Sequence, residues 1–190
     1  MGIALVCVGA VLLLLFVAVV AVIGIYNRLI VLRNRVDNAW SQIDVQLKRR
    51  YDLIPNLVET VKGYATHERE TLEKVVQARN SALSAMSGAS VADRGQAEAG
   101  LSGTLKSLFA LGEAYPDLKA SANFAALQEE LAGTEGKIAY ARQYYNDEVR
   151  SYNTRIQSFP SNVIAGRFGF KQREYFQADD ESRGPVQVRF

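Results

Sequence analysis

A chain of 190 residues and 21.0 kDa has room for one domain and an appendage, not for two large cores. One histidine and one cysteine exclude a four-ligand zinc site, an HExxH site and a paired Glu-x-x-His di-metal site, and leave Cys7 without an intrachain disulfide partner. A net charge of +2, with acids and bases mixed along most of the chain, gives no footprint for nucleic acid and points to lipid and other proteins as partners.

From Ile3 to Tyr26 no residue is charged. As a helix these about 24 residues rise roughly 36 Å, more than the hydrocarbon thickness of about 30 Å, so the segment can span a membrane with some tilt. The basic start and small-x-small site of a cleaved leader are missing, so the segment is expected to stay as an anchor. Cys7 follows Ala4-Leu5-Val6 and lacks a lipoprotein context; an apolar, lipid-facing or packed role is expected. The span has no GxxxG motif for close dimerisation. Arg28, Arg33 and Arg35 follow it directly, and the positive-inside rule puts them in the cytoplasm, beside lipid phosphates, with the amino terminus outside.

Beyond Asn27, Val36, Trp40, Ile43, Leu47, Ile54, Val58, Val61 and Ala65 recur in steps of three, four and once seven, one stripe of a helix. Pro55 predicts either a kink there or a new helix capped by Asp52. Leu72, Val76, Leu83 and Met86, with Arg79 filling one step, predict a second helix that ends at the small, polar Ser87-Gly88-Ala89-Ser90. A third helix from Val91 to Ala114 has Leu101, Leu105, Leu108 and Leu111 on it. It is weakened by Gly95, Gly100, Gly103 and Gly112.

Tyr115-Pro116-Asp117 breaks the chain, and one long helix of roughly 40 residues and 60 Å is expected from Leu118 to Phe159. Phe124, Leu127, Leu131, Thr134, Ile138, Ala141, Tyr145, Val149, Tyr152, Ile156 and Phe159 step by threes and fours, a coiled-coil-like seam with one stutter at Tyr145 to Val149. Such a seam needs partners of similar length, from the other helices or from further copies of the chain. The fold class is therefore all-α, an N-terminal transmembrane helix (1–27) followed by an antiparallel, four-helix-type bundle of long helices (28–160). An aromatic and basic segment with a mobile polar tail completes it (161–190).

Within this frame Trp40 reads as a core anchor with its indole donor satisfied. Asn146 and Asn153 each follow a tyrosine, seven residues apart on one side of the long helix; with Asn56 they are candidates to fix register or assembly, or else are solvated. His67 with Glu68 and Glu70 forms no metal site of recognised spacing and reads as a surface histidine. Glu59, Glu130 and Glu135 have no nucleophile or glycine-rich cradle beside them, so an acid–base pair is not indicated. Past Pro160, Arg167, Phe168, Phe170 and Lys171 surround glycines. These aromatics, with Phe176, are expected to fold back near the end of the long helix, or to meet a neighbouring subunit or the inner leaflet.

The run Val36-Asp37-Asn38-Ala39-Trp40-Ser41-Gln42-Ile43-Asp44, continuing through Tyr51-Asp52-Leu53-Ile54-Pro55-Asn56-Leu57-Val58 to Lys62-Gly63-Tyr64-Ala65, resembles the signature of the LemA family of bacterial membrane proteins. Leu118-Lys119-Ala120 with Asn123-Phe124, Gly133-Thr134-Glu135, Tyr145-Asn146, Tyr152-Asn153 and Phe159-Pro160-Ser161-Asn162 agree with it. The departures are Ser121-Ala122 where an acidic residue is common, Gly136 where asparagine is common, and a longer polar end after Phe176. The resemblance implies a single span with the amino terminus outside, a cytoplasmic helical bundle and no established enzyme activity.

The function expected is a non-catalytic, self-associating scaffold at the bacterial cytoplasmic (inner) membrane, without cofactor or metal, whose partners are the bilayer, further copies and other membrane proteins. Trp40, Asn56, Tyr64, Phe124, Tyr145, Asn146, Tyr152, Asn153 and Phe159 are its packing and assembly candidates, and Arg167, Phe168, Phe170 and Lys171 its membrane-proximal or subunit contact. The rival classes are a membrane-shaping or membrane-stress protein and a ligand sensor or unrecognised enzyme.

Overall fold

In a computed structural model, which describes residues 2–65 and 67–176, the first helix α1 runs unbroken from Gly2 to Tyr64 through Pro55, so the proline does not start a new helix capped by Asp52. Proline at 55 has no N–H for the carbonyl of Tyr51 four residues earlier, the usual reason a helix breaks there. That carbonyl accepts instead from Nε of Arg79, at 2.8 Å. The remaining helices are α2 (Arg69–Ala85), α3 (Val91–Ala114), α4 (Pro116–Lys119), α5 (Ala122–Gln157) and α6 (Ser161–Arg167). The architecture is all-α, with no strand among the described residues, and α1 carries an apolar stretch of mean hydropathy 3.2 that is long enough to cross a membrane. The expected polar end from Ala178 lies outside the described residues.

The chain forms two compact units. One holds residues 40–144, with Tyr175 and Phe176, and is a bundle of α1, α2, α3 and α5. Arg49 of α1 meets Glu130 of α5 at 2.7 Å, while Ser41 to Gln46 lie beside Gly133 to Ala141, so these two helices run antiparallel. Phe109 on Phe124 and Ser102 on Glu135 set α3 antiparallel to α5. The core is Ile43, Leu47, Tyr51, Ile54, Leu57 and Val61 of α1, Leu72, Val75 and Ala82 of α2, Leu101, Leu105 and Leu108 of α3, Leu118, and Phe124, Leu131, Ile138 and Ala141 of α5.

Several sequence expectations shift here. Helix α2 buries Val75 and Ala82, leaving Val76 and Leu83 exposed, because Arg79 is drawn inward to the Tyr51 carbonyl and turns the helix with it. Helix α3 is a regular member of the bundle despite its glycines. Its first turn is held by a Ser90 cap, whose Oγ accepts from the Asp93 N–H at 3.1 Å and donates to the Asp93 carboxylate at 2.8 Å, while Gly88 takes the turn before it at φ 95°. Gly112 is required by packing, since a Cβ there would stand 2.6 Å from the Phe124 ring. The long helix expected from Leu118 instead begins at Ala122, after the short α4, which Pro116 starts in the position where its missing N–H is harmless.

The other unit holds residues up to 39 and Tyr145–Glu174. Leu29, Leu32, Val36 and Ala39 of α1 are buried in it, as are Tyr145, Val149, Tyr152 and Ile156 of α5 and Ile164 and Ala165 of α6. The seam stops one step early: α5 ends at Gln157, and Phe159 lies past it, 82% exposed.

Candidate functional site

Two constellations stand out, one in each unit. In the bundle unit a charged network occupies the core. Arg50 and Glu98 are fully buried and pair through Nη2 and Oε2; the Tyr51 hydroxyl donates to the other oxygen of Glu98. Arg50 Nη1 donates to Glu135 at 2.7 Å and meets Ser102 Oγ at 3.0 Å, and Ser102 Oγ donates to Glu135 at 3.0 Å. One guanidinium thus joins α1, α3 and α5. Burial, and then the hydrogen bond and charge of Glu98, push the Tyr51 hydroxyl well above the ordinary tyrosine value, against the opposing pull of Arg50 and Arg94. A second pair, Arg94 with Asp44, sits beside Trp40, with the Arg94 guanidinium 4.7 Å from the ring centroid. Phe176 is buried 6.0 Å from Trp40, and the Arg142 guanidinium lies 4.7 Å above its ring.

A buried ion pair gives little net stability, since desolvation offsets much of the attraction, yet any arrangement that separates the charges is heavily penalised. The network therefore favours one register of three helices. A sequence does not mark its members as buried, but they fall on the apolar stripes. Arg50 fills the seven-residue step between Leu47 and Ile54, and the α3 stripe of Leu101, Leu105 and Leu108 runs back to Glu98 and Arg94 and forward to Gly112. The three glutamates considered as acid–base candidates are held by different cations: Glu59 by Lys62 at 3.5 Å, Glu130 by Arg49 and Glu135 by Arg50.

In the other unit, α5 clamps the segment that follows α6. Asn153 is buried; its Nδ2 donates to the Arg173 carbonyl and its Oδ1 accepts from the Arg173 N–H, both at 2.9 Å. The Arg173 guanidinium reaches Asp37 of α1 at 2.8 Å. The Tyr145 hydroxyl donates to the Glu174 carbonyl at 2.9 Å, and burial raises the pKa of both Tyr145 and Tyr152. The seven-residue Tyr-Asn spacing is thus used within the chain at its second copy, to hold a returning strand of backbone. Closer to the apolar run, Tyr26 meets Phe168 at 5.0 Å and Phe170 at 5.7 Å between ring centroids, and the Arg33 guanidinium lies 5.7 Å from the Phe170 ring. Phe168 and Phe170 therefore fold back on α1 at Tyr26.

The other candidates are scattered. Arg28, Arg33, Arg35, Arg167 and Lys171 are exposed, Trp40 and Asn146 half-buried, and Phe124, Tyr145 and Tyr152 buried. Asn56 and Tyr64 are exposed, and the main-chain carbonyl of Asn56 accepts from the Thr60 hydroxyl at 2.8 Å. His67 is exposed.

The sequence pattern of the LemA family matches residues 39–190. A Metamycoplasma hominis protein named LemA is 30% identical over 166 residues, 86% of this chain and 74% of its own. Magnetosome protein MamQ 2 of Paramagnetospirillum magneticum and magnetosome protein MamQ of Magnetospirillum gryphiswaldense are 24% and 23% identical, each match covering 85% of this chain and 68% of the relative. With the match running over four fifths of its length, through the charged bundle, Asn153 and the clamped segment, the chain belongs to the LemA family.

Proposed function

We propose that the chain is a non-catalytic scaffold, held in the cytoplasmic membrane by the first part of α1 with the amino terminus outside and the bundle in the cytoplasm, and that copies of it associate through the bundle. The observation that carries this is an open groove of about 570 Å³ between α1 and α5, floored by Gly133 and Gly136 and flanked by Val45 and Tyr140, which are 63% and 72% exposed. Glycines let a second helix approach closely, and the flanking side chains supply apolar area to bury. Anchoring confines the copies to two dimensions and raises their effective concentration, so a modest contact suffices. The non-catalytic part rests on Arg50, Glu98, Tyr51 and Glu135 being spent on one another inside the bundle. Arg28, Arg33 and Arg35 after the span support the orientation.

The test is the mass of the full-length protein in mild detergent, by light scattering, beside its Tyr140→Glu variant. A discrete oligomer that the substitution dissociates is expected; a monomer in both would remove the scaffold reading.

A further inference from the structure

Between Asn153 and Arg173 the chain makes a loop whose two ends are tied together at the level of Asp37. Its far part is tied to Tyr26, eleven residues nearer the apolar run on α1 and so about 16 Å along the helix. Tyr26 closes the apolar run, two residues before Arg28, the position at which amphipathic aromatics sit at a membrane–water interface. The contact with Tyr26 thus sets Phe168 at that same depth.

This part of the loop shows apolar side chains to the outside. Phe159 is 82%, Val163 63% and Phe168 55% exposed, while Ser161, Ile164 and Ala165 face inward. Val163 and Arg167 are four residues apart on the outer side of α6. The charge around them has one sign: residues 1–36 and 158–173 contain Arg28, Arg33, Arg35, Arg167, Lys171 and Arg173, and no acidic residue. In water the exposed apolar group is unfavourable; of the basic residues, Arg173 is paired with Asp37 and followed in the chain by Glu174.

We propose that the loop from Phe159 to Lys171 is a second membrane contact beside the span, in which Phe159, Val163 and Phe168 enter an anionic lipid surface while Arg28, Arg167 and Lys171 take its phosphates. The occupant follows from continuity with the apolar end of α1 and from the excess of basic residues around the loop, and the proposal rests on the reading of α1 as an anchor. The carboxyl-terminal loop then fixes how α1 emerges from the bilayer, since a loop joined to Tyr26 and seated in the headgroups resists rotation of the helix about its axis.

The test uses the full-length chain in phosphatidylcholine vesicles with and without phosphatidylglycerol. On a Cys7→Ser background, nitroxide labels are placed singly at Leu15, Ser151, Phe159, Val163 and Phe168 through cysteine substitutions, and their collisions with oxygen and with a water-soluble nickel chelate are compared. Oxygen-dominated collisions are expected at 159, 163 and 168, with a ratio several-fold above that at Ser151. Phosphatidylglycerol should raise that ratio, and Arg167→Glu with Lys171→Glu should abolish the increase.

Nickel-dominated collisions at 163 and 168, with Leu15 still oxygen-dominated, would overturn the proposal and leave the anchor standing; the same result at Leu15 would overturn both. Labels shielded from both reagents, with spectra that narrow on dilution by unlabelled protein, would assign the patch to a neighbouring copy and overturn the lipid contact. Depth independent of phosphatidylglycerol would overturn the anionic preference.

Discussion

Arg79 on α2 and Pro55 on α1 form a compensating pair, one side chain donating to the Tyr51 carbonyl that the other leaves without its helical partner. Removing the donor alone leaves a carbonyl unsatisfied. Arg79→Ala is therefore expected to lower stability by about 1–3 kcal/mol, and Pro55→Ala to restore part of that loss in the double variant by returning the N–H. Thermal unfolding of the four proteins of the cycle, followed by circular dichroism in detergent, measures the coupling; strictly additive losses would show that the two residues act independently.

The buried network predicts an asymmetry between breaking a pair and replacing it. Glu98→Gln leaves Arg50 buried beside a neutral amide and is expected to cost about 3–5 kcal/mol. Replacing the group together, as Arg50→Met with Tyr51→Phe and Glu98→Leu, should recover most of that loss in denaturant titrations. What the apolar triple should lose is uniqueness of register, visible as broadened amide resonances or faster hydrogen exchange in α3.

Alkaline pH tests the same place. Tyr51 has its pKa raised in the folded chain, first by burial and then by Glu98, so the protonated hydroxyl is favoured by folding. That contribution is complete below the unfolded value of about 10 and is lost as pH rises above it. The melting temperature of the native chain is expected to fall more steeply above about pH 10 than that of Tyr51→Phe, which has no such proton to lose. Parallel slopes would show that Tyr51 does not carry the alkaline sensitivity.

Two glycines of α3 should respond in opposite directions to the same substitution. Gly112→Ala sets a methyl against the Phe124 ring and is expected to destabilise by about 1–3 kcal/mol, with partial relief from Phe124→Leu. Gly103 has open space around it, so Gly103→Ala should stabilise by up to about 1 kcal/mol through helix propensity. Denaturation midpoints of the single variants decide it.

Asn153 holds Arg173 by two backbone hydrogen bonds. Asn153→Ala is expected to free the segment around Arg173, so trypsin should cut after Lys171 and Arg173 several-fold faster while the bundle stays resistant. Asn153→Asp keeps the acceptor and loses the donor, and should cleave at an intermediate rate. Equal cleavage of all three chains would show that the clamp does not protect the segment.

The helical periods were legible because apolar residues at steps of three and four leave few alternatives, and the α5 positions from Phe124 to Ile156 are buried or half-buried as their spacing predicts. Positions where a polar residue takes a core place were not. Arg79 displaced the expected α2 face by one residue, because its partner is a backbone carbonyl that lacks a helical donor only because Pro55 continues the helix on another part of the chain. Arg50, Arg94 and Glu98 resemble solvated charges until the stripe is extended through them. The clamp at Asn153 was legible as a Tyr-Asn repeat but not as a use, since its ligand is main chain, which carries no residue signature. The sequence left Phe168 and Phe170 a choice of their own bundle, a neighbouring subunit or lipid, and their packing on Tyr26 follows only from geometry.

Asp37 and Arg173 are separated by 136 residues, and this distance orders events during biosynthesis. At ribosomal rates of about 5–20 residues per second, roughly 7–27 s pass between the synthesis of the first and of the second. By then residues 40–144, which carry the whole charged network of the bundle, have already been made. The unit that joins α1 to the segment after α6 therefore closes only once the bundle residues are complete, and a product truncated before Arg173 would lack the backbone groups that Asn153 binds.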